Sequence, residues 1–140
     1  MMTTRQYLHQ IENYDNRIKN KLIEEEQLNS LSTSVSAIPI REKVQTSVKH
    51  DPMGDMIAKI FDLRDEISKM AAEFLEKKQE IIRTIEQVDD PVLYNILFKH
   101  YVEYKSLVRI ADEMGYSEIH MKRMHLKAIA EVKKIKGFER

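Results

Sequence analysis

The feature that most constrains the fold is a regular apolar pattern between two Asp-Pro pairs, Asp51-Pro52 and Asp90-Pro91. Asp accepts from free backbone N–H groups and Pro is tolerated in the first turn, so each pair predicts the start of a helix. Between them, apolar residues recur at alternating steps of three and four, with Lys77 in one slot: Met53, Met56, Ile60, Leu63, Ile67, Met70, Phe74, Ile81 and Val88. The pattern predicts one helix of roughly 54 Å at 1.5 Å per residue.

This apolar stripe has to pack against something. At about 25 cal/mol per Å² of apolar surface, burying its nine side chains stabilises the fold by more than about 10 kcal/mol. One possible partner is a predicted helix over Thr4–Leu31, reached through a loop of about residues 32–52 that contains Pro39. The other is a second copy of the chain, with a dimer favoured. The predicted oligomer seam is Ile60, Leu63, Ile67, Met70, Phe74 and Ile81.

After the second Asp-Pro pair the elements become short. Helical spacing predicts segments over Val92–Val102, Ser106–Met114 and Ser117 to about Lys136, separated by junctions of about three residues. Short junctions make neighbouring helices cross steeply and share one small core. The sequence therefore predicts an all-α protein with two domains. Residues 1–88 form a coiled-coil or hairpin body, and residues 89–140 form a C-terminal helix-turn-helix domain.

The helix-turn-helix prediction rests on the stretch IADEMGYSEIHMKRMH, residues 110–125. Such a motif needs a small residue where the helices cross, a residue that tolerates positive φ in the turn, and apolar residues on the inner face of the second helix. Ala111 and Gly115 meet the first two needs, and Met121 and Met124 meet the third. Ser117 is suited to cap the second helix. An ordinary corner between two helices of a bundle is the alternative.

Cationic residues are concentrated in this part of the chain. Residues 99–140 contain 10 Lys and Arg against 6 Asp and Glu, although the whole chain has 23 of each. A basic segment on an acidic body suggests an anionic partner. If the second helix enters a major groove of double-stranded DNA, Glu118, His120, Lys122 and Arg123 are candidates for base contacts. Lys105, Arg109, Lys127 and the helix start at Ser117 are candidates for phosphate contacts.

Several function classes lack support in the sequence. The chain has no Cys, which excludes disulfides and thiolate metal sites. His120 and His125 are five residues apart, on different faces of a helix, which argues against a metal pair. There is no phosphate loop, nucleophile elbow or zinc motif, so we expect neither enzymatic activity nor a cofactor. Without an apolar run of membrane-spanning length or a secretory signal, we expect a cytoplasmic protein.

The C-terminal segment also resembles region four of bacterial sigma factors. The similar stretch is LYNILFKHYVEYKSLVRIADEMGYSEIHMKRMHLKAIAEV, with its IA pair, Gly-aromatic-Ser turn and following helix. The whole chain resembles small phage and prophage proteins near the ArpU and RinA types of late-gene regulator, through RQYL at residues 5–8 and EKVQTS at residues 42–47. It departs from them at Leu107, where many relatives carry Trp.

This resemblance implies DNA binding in transcription control, with RNA polymerase as a further partner. The leading hypothesis is therefore a phage-type, sequence-specific transcription regulator. Two alternatives remain open. One is a DNA-packaging adaptor similar to a small terminase subunit, for which ring oligomers would be expected. The other is a protein–protein adaptor that keeps a sigma-like tail without binding DNA.

Overall fold

The structure is a computed structural model that describes residues 2–36 and 51–138, and within these residues every regular element is a helix. The all-α prediction is confirmed. The elements, in chain order, are α1 (Thr4–Leu8), α2 (Gln10–Ser36), α3 (Pro52–Glu86), α4 (Pro91–Leu97), a π-helical turn (Phe98–Val102), α5 (Leu107–Met114) and α6 (Glu118–Lys136).

The helix predicted over Thr4–Leu31 differs from the observed structure in two ways. It is interrupted near its start, and it ends later than predicted. Thr3 and Gln6 cap α1 reciprocally, at 3.1 Å and 2.9 Å, as a Thr-x-x-Gln sequence favours. His9 then separates α1 from α2. The predicted end at Leu31 was wrong, because α2 continues to Ser36 with no Pro or Gly to stop it. The rest of the predicted loop, with its proposed helical turns, lies largely outside the described residues.

The chain divides into two compact units whose boundary differs from the one predicted at residue 88. Unit 1 contains Met1–Asp15 and Glu73–Arg140, and unit 2 contains Asn16–Ala72. The reason for the difference is packing. Both chain ends and the last turns of α3 contribute buried side chains to the same core in unit 1, so neither the first residues nor Ile81 and Ile85 belong with unit 2.

Unit 1 contains two adjacent groups of buried side chains. The larger combines α1, the start of α2, the end of α3, α4, the π-helical turn and α6: Tyr7, Leu8, Ile11, Ile81, Ile85, Val88, Leu93, Leu97, Tyr101, Ala128 and Val132. The smaller lies under the predicted helix-turn-helix: Ile96, Ile110, Ala111 and Met121. The three C-terminal helices are therefore supported by the N-terminal residues as well as by one another.

Unit 2 is a pair of antiparallel helical segments with a thin apolar contact. Lys21 pairs with Glu66 at 3.4 Å and Glu25 with Arg64 at 2.6 Å, which places these stretches of α2 and α3 side by side. Ile60 and Leu63 are its buried apolar residues within the described part. Of the two partners considered for the stripe, this segment of α3 packs on α2 of the same chain.

The residues of the predicted oligomer seam do not form one continuous exposed surface. Ile60 and Leu63 are buried within a single chain, whereas Ile67, Met70 and Phe74 are partly exposed. Ile81 is completely buried in the core of unit 1, so it is not available to a second copy. The prediction was wrong for Ile81 because its position in the repeat does not reveal which other segments of the chain cover it.

Candidate nucleic-acid interface

The bend between α5 and α6 is formed by three residues, Gly115, Tyr116 and Ser117. Gly115 ends α5 with φ 74° and ψ 29°, the left-handed conformation that glycine adopts without a steric penalty. The Tyr116 N–H donates to the Ala111 carbonyl at 2.8 Å. Ser117 then begins α6 by accepting a hydrogen bond from the His120 N–H at 3.1 Å. The direction of α6 relative to α5 is thereby defined by backbone and cap contacts.

The inner face of α6 is fixed by packing against α4 and α5. Met121 and Ala111 are buried, with Ile96 and Ile110 in the same cluster, and Met124 contacts it from a partly buried position. Close approach of two helices requires a small residue at the crossing, which Ala111 supplies. Since this face is occupied, the opposite face of α6 is turned toward solvent.

The outer face of α6 carries most of the residues that the sequence nominated for DNA contacts. Glu118, His120, Lys122, Arg123 and Lys127 are all exposed. Within the described parts of the chain, none of the three cations forms an ion pair. The ring of His120 makes an edge-on contact with Tyr116 at a centroid distance of 4.8 Å. These side chains form a mainly cationic surface, the α6 ridge, beside the turn.

Two apolar side chains interrupt the α6 ridge. Ile119 is 66% exposed and Leu126 is 55% exposed, and their spacing with Lys122 and Arg123 places the four on one helical face. Large apolar side chains at the centre of an otherwise polar face are available to a binding partner, either thymine methyl groups or another protein.

The two candidates for phosphate contacts on α5 and its preceding junction have a different environment. Lys105 and Arg109 contact the Glu113 carboxylate at 3.1 Å and 3.3 Å, and Lys99 contacts it at 3.0 Å. Hydrogen bonds from Lys99 and Lys105 lower the pKa of Glu113 to about 2. Lys105 also pairs with Glu103 at 3.0 Å. Because an acidic partner already balances these cations, the α6 ridge is the better site for an external anion.

Sequence reasoning missed a cluster of three histidines around Tyr101 in unit 1. The Tyr101 hydroxyl and His125 Nε2 share a hydrogen bond at 2.8 Å, and His125 is buried. The His100 ring lies 5.2 Å from that of His125, and the His9 ring lies 5.0 Å from that of Tyr101. Burial, together with the nearby His100, Arg5 and His9, lowers the pKa of His125 to about 4.

Part of this cluster was detectable in the sequence. His125 occupies the same helical stripe as Met121, Ala128 and Val132, which predicts an inward side chain. His9 and His100 could not have been placed, because they are brought together by contacts between distant segments. Despite the three imidazoles, the described residues contain no group of His, Asp and Glu arranged to hold a metal ion.

The junction before α5 contains an unusual backbone conformation. Tyr104 has φ 62°, which is uncommon for a residue with a Cβ atom. Its hydroxyl donates to Asp15 Oδ2 at 2.7 Å, and burial with that carboxylate raises the pKa of Tyr104. The contact connects the start of α2 to the junction that positions α5 and therefore supports the orientation of the helix-turn-helix.

Comparison with known protein families gives a match over most of the chain. Residues 31–133 match a family described as a protein of unknown function, DUF1492. No curated protein and no solved structure matches the chain. Across the described ranges, no helix has both the length and the apolar character needed to cross a membrane. Because the match covers well over half of the sequence and includes α3 to α5 and most of α6, the chain belongs to the DUF1492 family.

Proposed function

We propose that the protein is a sequence-specific DNA-binding transcription regulator of the phage type, in which α6 enters the major groove of double-stranded DNA. The observation that carries the proposal is the α6 ridge, with three cations lacking acidic partners in the described structure on the outer face of a helix. Its opposite face and its N-terminal turn are fixed by Met121, Gly115 and Ser117. A rigid helix with outward cations satisfies both requirements of groove recognition, defined orientation and accessible donors.

The chemistry of the ridge suits base recognition. Lys122 and Arg123 can donate to guanine O6 and N7, Glu118 can accept from cytosine N4, and His120 can act in either role. Lys127, one turn further along the same face, is suited to a phosphate. The tail's resemblance to sigma region four supports the same assignment and makes RNA polymerase a candidate partner. The proposal includes a family relationship to the ArpU- and RinA-type regulators.

The test is selection of bound fragments from random double-stranded DNA, followed by affinity measurements on a selected site. Lys122→Ala/Arg123→Ala is expected to lower specific affinity by more than about tenfold, because each good bidentate contact is worth about 1–3 kcal/mol. Lys133→Ala/Lys134→Ala is the matched control, since it removes the same charge from the far end of α6. Far-UV circular dichroism should be unchanged in both variants. Equal DNA affinity in the wild type and the Lys122/Arg123 variant would contradict the proposal.

A second candidate function, a protein–protein adaptor, is favoured by one observation. Ile119 and Leu126 expose large apolar side chains at the centre of the ridge. In a DNA-binding regulator, Ile119→Ala/Leu126→Ala would remove contacts to thymine methyl groups. DNA affinity would then fall only modestly, and only for sites in which those thymines are present. An adaptor that binds RNA polymerase through this face would instead lose most of its affinity for the polymerase. DNA affinity and polymerase affinity, both measured on each double variant, therefore separate the two functions. A regulator loses DNA affinity mainly in Lys122→Ala/Arg123→Ala, whereas an adaptor has no specific DNA affinity and loses polymerase affinity mainly in Ile119→Ala/Leu126→Ala.

A further inference from the structure

A surface cavity of about 360 Å³ lies in unit 1 between the N-terminal residues, the π-helical turn and α6. Its polar lining comes from three separate elements: Arg5 and His9, then His100 and Tyr101, then Lys122 and His125. Leu107 and Leu126 complete the wall with apolar surface. Among the residues that the structure describes, no Asp or Glu lines the cavity, although these residues equal Lys and Arg in number over the whole chain.

The cavity concentrates positive charge without a counter-charge. Neither Arg5 nor Lys122 forms an ion pair with any part of the chain that the structure describes. Burial and the neighbouring His100 lower the pKa of His9 more than the charge of Glu12 raises it. Burial and the neighbouring His100 and Arg5 also depress the pKa of His125. The basic groups thus disfavour one another's charge, a situation that a bound anion would reverse.

We propose that this cavity binds a phosphate group, and that in the DNA complex a backbone phosphate next to the bases contacted by α6 occupies it. The second clause rests on the function proposed above. The Arg5 guanidinium on α1 can bind two phosphate oxygens at once, and Lys122 on α6 supplies a second cation. The volume exceeds that of a phosphate alone and, with Leu107 and Leu126 on the wall, accommodates an attached sugar.

The proposal extends the DNA interface from the C-terminal helices to the first residues of the chain. Lys122 belongs both to the α6 ridge and to the cavity wall, so the two surfaces are continuous. Arg5 thereby gains a role in binding DNA that its distance from the helix-turn-helix in the sequence conceals. Free phosphate esters share the recognised chemistry, and the experiment distinguishes them from a DNA backbone.

The first arm uses inorganic phosphate and the full chain, without DNA. Histidine ring signals are followed by NMR while phosphate replaces chloride at constant ionic strength. Phosphate is expected to shift the His9 and His100 signals and to raise the pKa of His9, because an anion beside the ring favours its protonated form. The groups that face the anion or these rings are Arg5, His9, Glu12, His100, Tyr101, Lys122 and His125. Unchanged histidine signals at high millimolar phosphate would overturn the proposal.

The second arm measures DNA affinity as a function of salt concentration. Arg5→Gln should weaken binding several-fold and reduce the slope of log K against log salt by about one, the change expected for one lost phosphate contact. Arg17→Gln, an exposed arginine in unit 2, is the matched control and should leave the slope unchanged. An Arg5→Gln slope equal to that of the wild type would overturn the assignment of a DNA phosphate to the cavity.

The two proposals fail in different ways. Phosphate-dependent histidine shifts in a protein that binds no DNA support the anion cavity, assign it to free phosphate esters and refute the regulator. DNA binding that depends on Lys122 and Arg123 but not on Arg5, with no response to phosphate, supports the regulator and refutes the cavity. The phosphate titration requires no substitution, so misfolding of a variant does not affect it.

Discussion

The two units differ mainly in how many segments of the chain cover each buried side chain. In unit 1, Ile81 and Ile85 of α3 lie among residues from both ends of the sequence and are completely buried. In unit 2, the same helix contributes Ile60 and Leu63 to a contact with one other helix, while Phe61 is 62% exposed. A stripe of similar apolar residues therefore produces two different degrees of burial. The number of neighbouring elements, rather than hydrophobicity alone, sets the energetic weight of each position.

The largest effect on the free energy of unfolding is expected when an isoleucine in each unit is replaced by alanine. Ile81→Ala is expected to lower the free energy of unfolding by about 3 kcal/mol, because it leaves a cavity in a core closed on all sides. Ile60→Ala should cost about half as much, since its surroundings can collapse or admit water. Urea denaturation monitored by far-UV circular dichroism gives both values. Equal losses would show that the thin contact in unit 2 is as constraining as the core of unit 1.

Acidification should destabilise unit 1 selectively. The pKa of His125 is about 4 in the folded chain and about 6.5 when unfolded. The neutral His125 side chain therefore contributes its full stabilisation of the folded state above pH 6.5, and this stabilisation is lost as the pH falls toward 4. Between pH 7 and pH 5 the loss should approach about 2 kcal/mol, at up to about 1.4 kcal/mol per pH unit. The lowered pKa of His9 acts in the same direction.

Amide hydrogen exchange at both pH values separates the units, since the described residues of unit 2 include no histidine. His125→Phe should reduce the pH dependence of hydrogen-exchange protection in unit 1, whatever its effect on stability at pH 7. Equal loss of protection in both units, or an unchanged slope in the variant, would contradict the assignment to His125.

A smaller effect is expected at the turn of unit 1. Gly115→Val should destabilise the protein by about 1–2 kcal/mol through its backbone conformation, because a β-branched residue disfavours positive φ. A Cβ atom at this position would meet nothing within 4 Å, so the cost does not include a steric clash with neighbouring residues. Gly115→Asn, which tolerates the left-handed conformation better, is the control. A thermal melt of the Val variant identical to the wild type would show that the turn can adopt another conformation.

The smallest effect concerns the ion pair between Glu25 and Arg64 in unit 2. Although the two atoms are 2.6 Å apart, Arg64 is about half exposed, and such pairs contribute little. A double-mutant cycle with Glu25→Gln and Arg64→Gln should give a coupling energy below about 0.5 kcal/mol. A coupling above about 1 kcal/mol would indicate that electrostatics compensate for the sparse apolar contact of unit 2.

Sequence reasoning succeeded where local signals determine local structure. Asp51-Pro52, Asp90-Pro91 and Ser117 correctly predicted helix starts, and Gly115 adopts the backbone conformation that its position suggested. It failed where distant segments meet. Helical spacing alone could not reveal that Ile81 packs with the N-terminal residues, or that His9 and His100 share a cavity with His125. Similarly, Lys99 and Lys105 look like the cations of the ridge in the sequence, because only folding brings them to Glu113.

The contribution of the N-terminal residues to the core of unit 1 has a consequence for biosynthesis. Tyr7, Leu8 and Ile11 are synthesised well before α4 and α6, whose buried side chains share a core with them. The hydrogen bond between Asp15 and Tyr104 likewise joins positions 89 residues apart. Such distant pairings slow folding, because a long loop must close before they form. A fragment starting at α4 would expose an uncovered apolar surface, so α4 and α6 are expected to pack stably only when the N-terminal segment is available to cover them.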